Sequence, residues 1–272
     1  MSATVAEALV AIERLWPVSG AEAWDAPGLL SGDPAATLDA IHLAVDAVPE
    51  VADEAVEAGA GLLLVHHPLL LRGVTAIAED RYKGTVLATL IRSGCALVAA
   101  HSNADIVETG TSATIAAHLG LAGIRPIVPS ADPAIGLGRV GELPSPVTLG
   151  RLARTLAELL PPTAGGVRVA GDFERPISTV ALCGGAGDSL LNELEVLAAD
   201  VYVTSDLRHH PASEAKENAR ISDGPALIDI SHWASEWLWL DVAAAELRDA
   251  LPGITVTVSE LRTDPWDFTV VQ

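Results

Sequence analysis

The sequence predicts an α/β fold, and three observations carry that expectation. Short apolar runs of strand length alternate with stretches whose apolar residues recur at helical spacing. Two of the runs, Gly61-Leu62-Leu63-Leu64-Val65 and Cys95-Ala96-Leu97-Val98-Ala99-Ala100, are continuously apolar, as central parallel strands covered on both faces are. Histidines and carboxylates follow several of these runs, and open α/β sheets collect their sites beyond the carboxyl ends of strands.

In chain order, residues 5–16 carry the apolar spacing of a helix, 37–47 read as a strand and 49–60 as a second helix. The strand 61–65 follows, then a helix over 85–93, a strand over 96–100 and a helix over 111–119 that stops at Gly120. From about Ile124 the character changes, with Pro126, Pro129 and Pro133 ahead of the run 139–143, a helix over 147–160 and a strand near 167–170. Pro161-Pro162-Thr163-Ala164-Gly165-Gly166 is too short for an interdomain linker and reads as a turn. A strand over 180–183 leads through Gly184-Gly185-Ala186-Gly187-Asp188 into a helix expected from about Leu190. A last strand over 226–230 precedes a tryptophan-rich helix from His232 through Leu240. This organisation suggests two lobes, 1–125 together with 226–272 and 126–225, with no internal repeat.

Composition excludes several classes. With 36 acidic against 16 basic residues the net charge is -20, the wrong sign for bulk nucleic-acid binding. A phosphorylated substrate would need local positive charge, for which Arg72 and Arg208 are candidates. The two cysteines, Cys95 and Cys183, lie in apolar runs and read as small buried side chains in a reducing compartment, not as a disulfide. The first residues lack a basic segment ahead of an apolar core, and no run reaches the about 18 apolar residues of a membrane span, so a cytoplasmic protein is expected.

Six of the eight histidines fall in four short segments: His66-His67, His101-x3-Asp105, Arg208-His209-His210 and His232-x3-Glu236. Imidazole with carboxylate is the donor mixture of zinc, iron or manganese sites. Adjacent residues leaving a strand point to opposite sides, so His66 and His67 suit two metals, or one if both rings turn inward before Pro68. His101 with Asp105 and His232 with Glu236 stand four apart, on one face if helical. Taken singly, each pair reads more readily as a capping or hydrogen-bonded feature or an ordinary helix-surface contact; their recurrence after strands is what points to metal.

The glycine-rich stretch could cradle an anion with its amides at a helix N-terminus, or simply allow a tight turn. No Lys-Ser/Thr follows, so it is not a Walker loop. Trp233, Trp237 and Trp239 could stack on a purine, although packing is the stronger expectation for an i, i+4 pair.

Taken together, Leu64-Val65-His66-His67-Pro68, Ala100-His101-Ser102-Asn103-Ala104-Asp105, Val180 to Asp188, Thr204-Ser205-Asp206 to His210, and His232-x3-Glu236 resemble the dinuclear-metal-centre family of GTP cyclohydrolase I type 2 homologues, also termed NIF-three-like. The resemblance runs from about Ala21 to the C-terminus. It departs at Trp24-Asp25-Ala26-Pro27-Gly28-Leu29, where Ala26 stands for the family's asparagine. It implies two intertwined α/β lobes with a metal site between them, assembled as a hexameric ring. It also implies two divalent metals, zinc, iron or manganese, on His66, His67, Asp105, His232 and Glu236, with Glu236 as the bridge. His101 is implied beside the centre, as a further ligand or a group behind the ligands, and His210 facing substrate, either of them in proton transfer, while Gly185, Gly187, Asp188 and Arg208 are candidates for holding substrate. The implied reaction is opening of the guanine ring of GTP by activated water. The alternatives are hydrolysis of another nucleotide or phosphate ester, or a metal-binding ring-forming adaptor without turnover.

Overall fold

The computed structural model describes residues 2–271 and divides the chain into two compact units. Unit 1 comprises Met1–Ala104 with Leu240–Thr263, and unit 2 comprises Asp105–Trp239 with Asp264–Gln272. The sequence placed the divisions near 125 and 226. They fall at 104 and 239 because the helix Thr111–His118 packs on the strands Pro176–Ala186 and Arg139–Thr148, and the strand Ala226–Ile230 pairs with Val201–Ser205. The periodicity of a helix shows that it has an apolar face, not which sheet covers it.

Unit 1 is built on a five-stranded sheet in the order Thr255–Val258, Ala40–Ala44, Leu62–Val65, Ala96–Ala99, Gly28–Ser31. The first four strands run parallel and the last is antiparallel. Leu62, Leu63 and Leu97 have no exposed surface, which explains the unbroken apolar runs. Removing each such side chain from water contributes roughly 1.5–3 kcal/mol. The helix Val5–Leu15 opens on a reciprocal cap: Glu7 N–H donates to Thr4 Oγ1 at 3.2 Å and Thr4 N–H to Glu7 Oε2 at 2.7 Å. Tyr82–Ser93 ends at Gly94, whose φ of 72° returns the chain to the sheet. The strand expected over 37–47 is split: Thr37–Leu38 pairs with Ala3–Thr4, and only Ala40–Ala44 joins the main sheet.

Unit 2 carries a six-stranded mixed sheet in the order Arg168–Ala170, Ala226–Ile230, Val201–Ser205, Pro176–Ala186, Arg139–Thr148, Ala122–Arg125. Its three central strands are parallel and its outer pairings antiparallel. The helix expected over 147–160 is Leu149–Leu159, because Thr148 caps it by accepting from Arg151 N–H at 3.2 Å. The helix expected from Leu190 is replaced by a 3₁₀ turn at Asp188–Leu190 and a four-residue helix at Leu194–Leu197. Among the described residues no helix is long and apolar enough to cross a membrane.

Candidate metal centre

In unit 1, the parallel register that sets Val65 opposite Ala99 brings the ends of two strands to one edge of the sheet. Beyond the first, His66 N–H donates to Ala44 O at 3.1 Å and His67 N–H to Val45 O at 2.9 Å, so both backbones stay fixed as the strand runs out. Beyond the second, His101 N–H donates to Asn103 Oδ1 at 2.9 Å. The imidazoles of His66, His67 and His101 pack edge to face, with centroids 5.2–5.5 Å apart. One ring nitrogen from each lies within 4.8 Å of the others, a group able to hold a metal ion. His66 is fully buried, while His67 and His101 keep some exposure.

Two of these rings are held from behind. His67 Nδ1 donates to Asp46 Oδ1 at 2.7 Å and His101 Nδ1 to Asp25 Oδ1 at 2.8 Å. The other oxygen of Asp25 accepts from Ser102 N–H at 3.0 Å and from Ser102 Oγ. Burial opposes the charge of Asp25, but the bonds from Ser102 and His101 outweigh it and lower its pKa.

In unit 2, Ser231 ends the strand Ala226–Ile230 and accepts from Ala234 N–H at 3.2 Å through its hydroxyl, starting the helix His232–Ala250. His232 and Glu236 therefore share one face of its first turn, with Nε2 3.0 Å from Glu236 Oε1. His232 Nδ1 donates to Asp206 Oδ2 at 2.8 Å. Burial opposes protonation of His232, but the charge of buried Glu236 and the bond to Asp206 outweigh it, and its pKa is raised to about 11.

The glycine-rich stretch lies under this pair. Gly185 has φ +71°, and a Cβ there would stand 2.6 Å from Glu236 Oε1 and 3.5 Å from His232 Nε2. Gly185 N–H donates to Ser235 Oγ at 2.9 Å and Gly184 N–H to Ser112 Oγ at 3.1 Å. These two amides hold the neighbouring segment and the helix start. Gly187 O accepts from Tyr202 Oη at 2.8 Å.

Asp105 opens unit 2 and accepts from Thr111 Oγ1 at 2.5 Å. The following loop is pinned by Arg139, which is 2% exposed and donates to the carbonyls of Gly136, Gly138, Ile106 and Val107. Burial pushes the thiols up, to about 11 for Cys95 and about 12 for Cys183, and both are free cysteines. Arg208 Nε donates to Asp188 Oδ2 at 2.9 Å beside a cavity of about 320 Å³ that Asn192 and Asn218 also line. His210 is exposed on the first turn of the helix His209–Ser222, its ring 5.2 Å from that of His209. Trp233 and Trp239 are buried in the protein's own packing, which removes both from any base-stacking role.

Residues missed in the sequence are Asp46 and the part played by Asp25 and Asp206. A signal existed for Asp46, a carboxylate just past the strand that neighbours the His66-His67 strand. Imidazole nitrogens backed by carboxylates, with a buried glutamate over a glycine that leaves it room, fit the donor chemistry of a borderline divalent metal. Fold and donors together define an α/β protein with histidine and carboxylate groups able to bind metal ions.

The model of the Duf34/NIF3 (NGG1p interacting factor 3) family matches residues 3–265, and the chain belongs to that family. A Streptomyces coelicolor protein named GTP cyclohydrolase 1 type 2 homolog is 45% identical over 269 residues, covering 96% of this chain and 93% of the relative. A Clostridium perfringens protein of the same name is 33% identical, covering 94% and 96%. Among solved structures, a Bacillus cereus protein related to NIF3 superposes with a TM-score of 0.90 at 22% identity, covering 98% of this chain and 99% of the other. A Staphylococcus aureus hypothetical protein gives 0.87 at 27% identity, with the same shares covered.

Proposed function

We propose that the protein is a metal-dependent hydrolase that holds two divalent cations, zinc, iron or manganese, on His66, His67, Asp105, His232 and Glu236, and opens the guanine ring of GTP. The observation that carries this reading is the histidine group at one sheet edge, with one ring nitrogen from each of three side chains within 4.8 Å of the others. The name shared by the Streptomyces coelicolor and Clostridium perfringens relatives supports GTP as the substrate to test. Divalent cations in such a site lower the pKa of bound water and polarise the group attacked.

The chain's own residues would then bind, orient and move protons. His67 and His101 present their Nε2 atoms because their Nδ1 atoms are engaged. Glu236 stays close to His232 because Gly185 leaves the space. Arg208 offers positive charge at the Asp188 cavity in a chain that is otherwise strongly acidic. Water adds at C8 of guanine and the C8–N9 bond breaks to leave a formamide on N7, and a second water cleaves that amide to release formate, with His101 or His210 exchanging protons. Assembly as a homohexameric ring belongs to the same reading, and the exposed apolar side chains of Trp266, Phe268 and Val270 suit a contact with other copies.

The test is formate release from GTP by metal-loaded protein. Formate equimolar with the GTP consumed, and its loss in Glu236→Ala, is the expected result. Metal-loaded protein that releases no formate overturns the GTP reading.

A further inference from the structure

Three histidines of the candidate donor set each pair with an aspartate through Nδ1, and His232 in addition holds its Nε2 3.0 Å from Glu236 Oε1. His67 Nδ1 donates to Asp46, His101 Nδ1 to Asp25 and His232 Nδ1 to Asp206, at 2.7, 2.8 and 2.8 Å. The three aspartates come from unrelated places: after the strand Ala40–Ala44, in the loop before Gly28–Ser31, and after Val201–Ser205. Nothing in local sequence geometry forces the same nitrogen three times. A neutral imidazole has one protonated nitrogen, and engaging it at Nδ1 leaves Nε2 as the donor to a cation.

The aspartates are themselves braced. Asp25 has a fully buried side chain and accepts from Ser102 N–H, Ser102 Oγ and Ala26 N–H in addition to His101. Asp46 accepts from Thr263 Oγ1 through its second oxygen. Asp206 has φ 55°, a left-handed conformation that few non-glycine residues adopt and that aspartate tolerates better than most. That conformation occurs at the residue whose carboxylate meets His232.

We propose that Asp25, Asp46 and Asp206 are positioning residues, which hold His101, His67 and His232 through Nδ1 so that each presents Nε2 to a metal ion. This rests on the metal-binding reading above, not on the GTP reaction. It also gives His101 a place among the donors, alongside His66 and His67. A carboxylate behind the ring raises the basicity of the donor nitrogen and fixes the ring plane, and loss of such a partner typically weakens metal affinity about 10–100-fold.

The experiment is a Co²⁺ titration of the full-length, metal-stripped protein, followed by the visible absorption of the bound ion. The variants are Asp25→Asn, Asp46→Asn and Asp206→Asn, which keep the side-chain size and one acceptor but remove the charge. Ser93→Ala and Ser222→Ala serve as controls, because each removes a side-chain hydrogen bond at a helix end and touches none of these aspartates or histidines. The expected result is a cobalt dissociation constant raised about 10–100-fold in each aspartate variant with an altered visible band. The controls leave the dissociation constant unmoved. Asp206 is the most exposed of the three, so its variant folds even if Asp25→Asn does not. Parent-like affinity and spectrum in Asp206→Asn overturn the inference, as does equal weakening in the controls. A parent protein that binds no cobalt overturns the metal reading, and this inference with it.

Discussion

Gly185 lies directly under the carboxylate of Glu236: a Cβ at position 185 would come within 2.6 Å of Glu236 Oε1. Glu236 is 2% exposed, so any shift of its carboxylate takes place among packed neighbours. Gly185→Ala therefore adds a clash at the carboxylate to the roughly 1–3 kcal/mol strain of a left-handed alanine. Gly166→Ala is the matched control, with φ +58° and nothing within 4 Å of the added carbon. Chemical denaturation should show destabilisation in both variants, larger in Gly185→Ala by the cost of the clash. Metal analysis should show loss only in Gly185→Ala.

The raised pKa of His232 fixes a pH dependence. An imidazolium favoured by folding contributes stability fully present below the unfolded value of about 6.5. That contribution is lost as pH rises through the folded value of about 11. The metal-free protein should lose stability between these limits, and His232→Gln should flatten the slope, as measured by denaturant midpoints across the range. Because a metal ligand must be deprotonated, metal binding near neutral pH should release a proton, read as a dependence of the calorimetric heat on buffer ionisation enthalpy.

Arg139 supports the segment that follows Asp105 by donating to four backbone carbonyls from a buried position. Arg139→Met leaves those carbonyls without the guanidinium, at a cost on the order of 3 kcal/mol or more. Urea unfolding should record that loss. The His66, His67 and His101 group lies in unit 1, so a metal it holds should still bind at temperatures where the variant remains folded.

The parts legible in the sequence are those written in local pattern. Leu62–Val65 and Ala96–Ala99 were readable because both faces of each strand are covered, and the helix Thr111–His118 because of its spacing and Gly120. The family was readable because its motifs keep their order. Asp206 and His232 are 26 residues apart and meet only after two parallel strands pair, so no spacing announces the bond. Arg139 was unreadable for a different reason: its partners are backbone carbonyls, which have no residue type. The helix expected from Leu190 failed because Gly187 and Asp188 lead into a 3₁₀ turn in place of a full helical start.

The central claim is that these histidines and carboxylates hold divalent metal. Its most direct test is elemental analysis of full-length protein purified without chelator, parent beside Glu236→Ala. The account predicts two divalent ions per chain in the parent and the loss of at least one in the variant, with the oligomer unchanged. A parent that holds no metal even after reconstitution with zinc, iron and manganese would contradict it.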